Sequence, residues 1–445
     1  MTIVRLAAPA IAGQVLQTGV IYADRVMLGH ASSGALAAMQ IAGPLEWTLV
    51  SVTSAFAVGT LALVGRAYGA GRPDEVRRHA TVGLVAAGLL GAVATLLAFG
   101  VLPLLPLLFP HASRAPDGAI ALSRAYFHFA LLAAPFYCIG AAGFAALSAC
   151  RDTVTPLKIG VAVNLVHVGI NWLLISGHAG FPAMGAAGAG LSTAVSFALE
   201  ATLTIAVLCR RGVVATIRPL TRANLWPFGN DVGRAALRQL WTLSLPATTE
   251  RFIYHLGYMA FVWMIALLGD DAMAANQALI AIEAISFMTV DGFAVACGSL
   301  VAQELGARRP ARAQRVGWQT MALAVGTLST FGLCFFLFRR QLPAIVTPRA
   351  DLQRMAAQAI IVMSCAQPFM AIGVVLGQGL RGAGATRTSL LVSLVAGFGV
   401  RLAVTWTATS VMHLGIVGVW AGSTADWVVR TLLLVPIWRS GAWFR

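Results

Sequence analysis
The chain has 445 residues, 58% of them hydrophobic and only 11% charged, with a mean hydropathy of +0.80. A soluble domain carries about 25% charged residues, so this composition cannot build a water-facing surface and lipid is the expected solvent. The 31 basic against 16 acidic residues give a net charge of +15; all but one of the basic residues are arginine, set mostly in short loops between apolar runs, which favours membrane topology over nucleic-acid binding.

A helix needs about 20 apolar residues to cross a bilayer. The chain offers twelve such runs in order: 3–28, 36–64, 80–108, 121–149, 157–176, 184–209, 241–268, 274–303, 317–338, 354–380, 388–413 and 416–438. The first reads as a span, not a cleavable signal peptide. Helices are expected because alternating strand patterns are absent and every backbone group must be satisfied in lipid.

The runs fall into two copies. Leu63-Val64-Gly65-Arg66-Ala67-Tyr68-Gly69-Ala70-Gly71-Arg72-Pro73 returns as Leu300-Val301-Ala302-Gln303-Glu304-Leu305-Gly306-Ala307-Arg308-Arg309-Pro310, an offset of 237. Pro135 to Thr153 returns as Pro368 to Thr386, an offset of 233. Six spans per copy is an even number, so both copies enter and leave on the same side. The expected fold is therefore an all-α membrane protein with two six-helix bundles related by a pseudo-twofold axis along the membrane normal. The lobes are expected at 1–209 and 237–445, joined by a polar linker at 210–236 that carries Arg210, Arg211, Arg218, Pro219, Arg222, Pro227 and Arg234, with Arg238 at its edge. Arginines crowd the loops on the side of the termini, including Arg66, Arg72, Arg77, Arg78, Arg308, Arg309, Arg312 and Arg315. The opposite loops carry few, so both termini are expected in the cytoplasm.

Four prolines sit inside spans: Pro9, Pro135, Pro246 and Pro368. Each removes a backbone donor and loosens a helical turn. They form two repeat-related pairs and can be read as bending points for gating or as inherited static kinks.

Ionisable groups at membrane depth cost about 2.5–3.5 kcal/mol on insertion scales and need a partner or an aqueous cavity. The acids concerned are Asp24, Glu46, Glu200, Glu250, Glu283, Asp291 and Asp426. Asp24 can be functional or an interfacial carboxylate. Glu250 can be functional or a structural partner of Arg401 or another helix. Glu283 and Asp291 lie about 80° apart around one helix and could line one cavity. Glu46 and Glu200 lie nearer span ends and read as structural. Asp426 and Arg401, in neighbouring spans, are expected to form a buried ion pair. The six cysteines (Cys138, Cys150, Cys209, Cys297, Cys334, Cys365) have no metal or redox spacing and read as small hydrophobes. No metal-ligand spacing or nucleophile elbow appears, and Gly69-Ala70-Gly71 lacks the Lys and Ser/Thr of a phosphate loop. No enzyme, metal or nucleotide cofactor is expected, so any uphill transport would draw on an ion gradient.

Several motifs, in this order and at this repeat spacing, resemble one family over essentially the whole chain. They are Pro9 followed by Asp24-Arg25-Val26-Met27-Leu28-Gly29, the Gly69-Ala70-Gly71 and Gly306-Ala307 loops, Ala274-Ala275-Asn276-Gln277, and Leu380-Arg381-Gly382. The family is the multidrug and toxic compound extrusion (MATE) family. The resemblance implies a V-shaped pair of bundles, alternating access, and efflux of small organic cations in exchange for H⁺ or Na⁺. It also implies a multi-pass protein of the bacterial cytoplasmic membrane, with the lipid bilayer and small organic substrates as its partners and a monomeric state. The family's helix 1 aspartate and proline match Asp24 and Pro9, and its helix 7 glutamate matches Glu250. Its helix 5 pair falls at His167, in place of the usual Asn, and Asn171. Its helix 6 threonine falls at Thr193. The helix 10 aspartate of one branch falls near Met370, and the common His of the Ala-Ala-His-Gln motif is Asn276. Glu250, Glu283 and Asp291 then form an acidic set that could replace the missing groups. Two other readings stay open: a lipid-linked oligosaccharide or lipid flippase of the wider superfamily, and a membrane-bound enzyme or receptor.

Overall fold
The computed structural model describes residues 2–31, 33–109, 118–210, 214–218 and 229–444, and these contain helices and connecting turns but no strand. The helical runs are α1 (Thr2–Ala31), α2 (Ala38–Gly69), α3 (Pro73–Leu107), α4 (Ala119–Ala149), α5 (Val154–Ser176) and α6 (Ala186–Leu208). They continue as α7 (Asp231–Ala266), α8 (Asp270–Gly306), α9 (Pro310–Leu337), α10 (Ala350–Gly382), α11 (Thr386–Val411) and α12 (Gly415–Ser440). Ten are long and apolar enough to cross a membrane; α7 and α12 complete the expected twelve at comparable length. The chain is a multi-pass membrane protein.

Local chemistry sets the helix ends. Pro73 and Pro310 open α3 and α9, where a missing N–H leaves no bond unmade. Before each, the backbone turns through a left-handed residue: Gly71 (φ 68°) and its repeat partner Arg308 (φ 57°). Arg151 (φ 69°) and Gly384 (φ 80°), at the other repeat offset, form a second such pair. The duplication is thus written in the turns as well as in the sequence. Glycine meets a left-handed turn at no steric cost, whereas arginine adopts the same turn in the sister copy.

By contact the chain divides into two compact units, Ala12–Ser244 and Met1–Ile11 with Leu245–Arg445. This division departs from the boundaries expected from the repeat, because α1 and α7 are each shared between units. Residues 2–11 of α1 belong with the second unit, where Leu6 and Ala7 join the apolar core of Val290, Phe293, Met370 and Trp427. Close approach explains it: a Cβ at Gly292 would overlap Ile11 and lie 3.0 Å from the Ala7 carbonyl. The start of α7 belongs with the first unit in the same manner. There Leu240 packs in a core with Phe56, Leu61 and Leu147, and a Cβ at Gly59 would overlap Ser244.

The linker is also shorter than expected. Arg211, Pro219, Arg222 and Pro227 lie outside the described residues, as do Arg114 and Arg445. Arg234 and Arg238 are helical, because α7 begins at Asp231, where the Asn230 side chain accepts the Gly233 N–H at 2.6 Å.

Of the four span prolines, Pro9, Pro246 and Pro368 lie inside uninterrupted α-helix. Pro135 alone follows a break, a 3-10 turn at Leu131–Ala133, against which α3 packs so closely that a Cβ on Gly91 would stand 2.7 Å from the Ala134 carbonyl. Other interruptions are unforeseen: α2 breaks between Ser54 and Ala57, and α11 carries π-helical runs at Leu394–Val400 and Thr407–Val411 on either side of Arg401. Such bulges commonly mark functional positions.

Candidate functional site
In the Ala12–Ser244 unit, α1, α5 and α6 converge on Asp24. His167 and Asn171 are four residues apart on α5 and therefore share a face. His167 Nε2 lies 3.0 and 3.1 Å from the two Asp24 carboxylate oxygens, and Asn171 Nδ2 donates to Asp24 Oδ1 at 2.6 Å. The other imidazole nitrogen, Nδ1, meets Ser196 Oγ at 2.9 Å and Ser192 Oγ at 3.2 Å. A hydroxyl both donates and accepts, so the serines satisfy Nδ1 whether or not it bears a proton. The His167 side chain is 7% exposed and Asp24 27%, so the carboxylate is the accessible end of the pair. Asn171 is fully enclosed, and among the described residues its Oδ1 has no hydrogen-bond partner.

Thr193 neighbours this cluster: its hydroxyl donates to the Ala189 carbonyl at 3.0 Å and lies close to Tyr126. The Tyr126 phenol in turn donates to Glu46 Oε2 at 2.6 Å. Glu46, Tyr126, Ser192 and Ser196 went unread as site residues in the sequence. The only available signal was spacing: Ser192 and Ser196 repeat the four-residue interval of His167 and Asn171 on the next helix. Among the described residues, no Arg or Lys forms an ion pair with Asp24 or Glu46.

The second unit holds its acids differently. Glu250 on α7 accepts from Arg381 Nη1 at 2.9 Å, from Ser393 at 2.6 Å and from Ser389 at 3.2 Å. Its partner is thus Arg381, at the end of α10, and not Arg401. Gly382 beside it lets α10 touch α8, since a Cβ there would overlap the Gly298 carbonyl. Asp426 makes the expected pair with Arg401 at 3.0 Å, and a second with Arg430 at 2.6 Å. Gly397, in the first π-run of α11, leaves the space that the Arg430 guanidinium fills. Glu283 lies near Gln367 and feels Arg401, while Asp291 feels Arg251 and Arg381. Glu250, Glu283 and Asp291 do not form one hydrogen-bonded set among the described residues, although Arg381 acts on both Glu250 and Asp291.

The same description places the chain among known proteins. A MatE family profile matches residues 9–173 and again 246–407, so the two matches begin at Pro9 and Pro246, one repeat apart. The chain belongs to the MatE family. Among curated MatE-like relatives it is 26% identical to the probable multidrug resistance protein NorM of Thermotoga maritima, over 99% of this chain and 92% of that one. It is 28% identical to the protein of the same name from Bradyrhizobium diazoefficiens, over 98% and 92% of the two chains. The fold is similar to crystal structures of a point mutant of the Vibrio cholerae MATE transporter VcmN (TM-score 0.86, 17% identity, 100% of this chain and 98% of that one) and of the eukaryotic MATE transporter AtDTX14 (TM-score 0.84, 17% identity, 99% and 96%). The MatE fold therefore extends over the whole chain.

Proposed function
We propose that this protein exports small organic cations in exchange for protons by alternating access, and that Asp24, held by His167 and Asn171, is its coupling group. The observation that carries the reading is the donor set around Asp24. Its two side-chain partners are nitrogens, from an imidazole and an amide, at 2.6 to 3.1 Å. Hard cations such as Na⁺ are held by several oxygen ligands, whereas a carboxylate facing an imidazole is a proton-exchange pair. Asn171 positions the carboxylate, and the serines keep His167 hydrogen-bonded in either charge state. Protonation of the pair removes its negative charge, and with it the attraction for a cationic substrate. Proton and substrate then compete, which is the requirement for exchange.

In the second unit, Glu250 and Asp426 already have guanidinium partners at 2.6 to 3.0 Å. A tethered cation occupies the place that a mobile one would take, so coupling is assigned to the first unit. The names of the NorM relatives support drug-like substrates. A flippase for pyrophosphate-linked lipids would want free guanidinium groups facing a cavity. Arg381, Arg401 and Arg430 are instead tied to carboxylates, which weighs against that alternative. The arginine-rich loops support cytoplasmic termini in a bacterial cytoplasmic membrane.

The test is transport of a fluorescent organic cation by the purified protein in liposomes. A pH gradient alone should drive the dye, and a Na⁺ gradient at equal pH should not. Dye movement under Na⁺ alone, with none under the pH gradient, would overturn the assignment.

A further inference from the structure
We infer that Glu46 is a second proton-carrying residue, so that the N-terminal unit loads two protons per transport cycle. This rests on the proton-coupled reading above and adds a residue and a stoichiometry to it.

Glu46 lies on α2, about 12 Å along the helix from Ala38 at 1.5 Å per residue, so it is not at the span's end. It borders a small apolar pocket formed with Leu49, Phe127, Tyr137 and Phe197. It accepts a hydrogen bond from the Tyr126 hydroxyl at 2.6 Å. The groups that face it are Tyr126 from α4, Asp24 from α1 and His167 from α5, the last two near enough for their charges to act on it; Tyr137 from α4 shares its pocket. From α6 the neighbouring group is the Thr193 hydroxyl, close to Tyr126. Among the described residues none of its partners is an Arg or a Lys.

Charge accounting then decides the protonation. Two carboxylates and one imidazole carry a net charge of minus two or minus one unless protons are added. An uncompensated charge in such surroundings is costly, and a group there neutralises instead. Neutrality with both acids in place requires two protons, one shared by Asp24 and His167 and one on Glu46. The orphaned Asn171 Oδ1 is a buried acceptor beside the first of these, ready for a donor that the deprotonated cluster does not supply. The contrast within the chain supports the assignment. Asp426 has two arginine partners and Glu250 one, so the charge of each of those acids is met by a guanidinium and needs no proton. A purely structural Glu46 would serve only to receive the Tyr126 hydroxyl, which an amide does equally well.

Glu46→Gln separates the two roles, since glutamine accepts the Tyr126 bond and cannot carry the proton. In liposomes with the voltage held at zero, each coupled proton supports about tenfold accumulation per pH unit. For a monovalent dye and a gradient of one pH unit, the unaltered protein should reach about a hundredfold and E46Q about tenfold. Equal limits for the two proteins would overturn the proposal while leaving proton coupling standing. No accumulation by the unaltered protein would sink the coupling reading itself. Should E46Q fail to transport, proton release on dye binding to detergent-purified protein decides: E46Q should release one proton fewer, and an unchanged count overturns the inference. Glu46→Asp, which retains the acid, should restore the full count.

Discussion

The pairing of Glu250 with Arg381 can be tested by removing its members singly and together. Glu250 has 10% of its side chain exposed and Arg381 18%, and they meet at 2.9 Å. Arg381→Ala would leave the carboxylate with only the Ser393 and Ser389 hydroxyls, at 2.6 and 3.2 Å, and one oxygen, Oε2, without any partner. Breaking a buried pair from one side costs about 3–5 kcal/mol. The residual exposure places this pair at the low end, about 3 kcal/mol, or roughly a hundredfold in the unfolding equilibrium. Glu250→Gln should cost less, because Arg381 keeps Gln378 Oε1 at 2.7 Å and Ser389 at 3.1 Å. In the double variant Glu250→Gln with Arg381→Ala both charges go, and the loss should fall well short of the sum of the single losses. Denaturant unfolding in detergent, followed by the fluorescence of the 11 tryptophans, measures all four proteins. Additive losses, or an Arg381→Ala protein as stable as the original, would refute the reasoning. The same set bears on function: Glu250→Gln should keep pH-driven transport, and a folded E250Q that has lost coupling would move the coupling site to the second unit.

Asp24→Asn should fold normally and abolish uphill dye movement while leaving downhill movement measurable in the same liposomes; a variant that still concentrates dye on a pH gradient refutes the role of Asp24. His167→Asn keeps a donor toward Asp24 but removes the imidazole, so pH-driven dye accumulation should fall; unchanged accumulation would make His167 a positioning residue only. Gly292→Ala should be destabilised by about 1–3 kcal/mol through overpacking against backbone, since its Cβ would come within 2.8 Å of the Ile11 nitrogen. Gly59→Ala should behave alike, and wild-type unfolding midpoints for both would contradict the docking of the two half-helices.

Much of this site could be read before the fold was known. Asp24 stands out as an acid in an apolar run, and the resemblance brings His167 and Asn171 to it from 143 and 147 positions away. Glu46 was visible as a residue but not as a participant, because nothing in α2 announces that its face meets Tyr126, 80 positions later. The pairing of Glu250, one of the acidic set with Glu283 and Asp291, was hidden for the converse reason. Angular proximity on one helix says nothing about the arginines that arrive from α10, α11 and α12. The division between units at Ile11 and Ser244 was likewise hidden, since repeat alignment marks where copies begin and not which copy a half-helix packs against.

By itself, the sequence determined the solvent, the twelve spans, the duplication and the loop asymmetry. These follow from composition and short-range pattern, which each segment expresses alone. The tertiary structure decided which acids meet an arginine, as Glu250 and Asp426 do, and which, among the described residues, do not, as with Asp24 and Glu46. That depends on Coulomb interactions over a few ångströms between groups far apart in the chain.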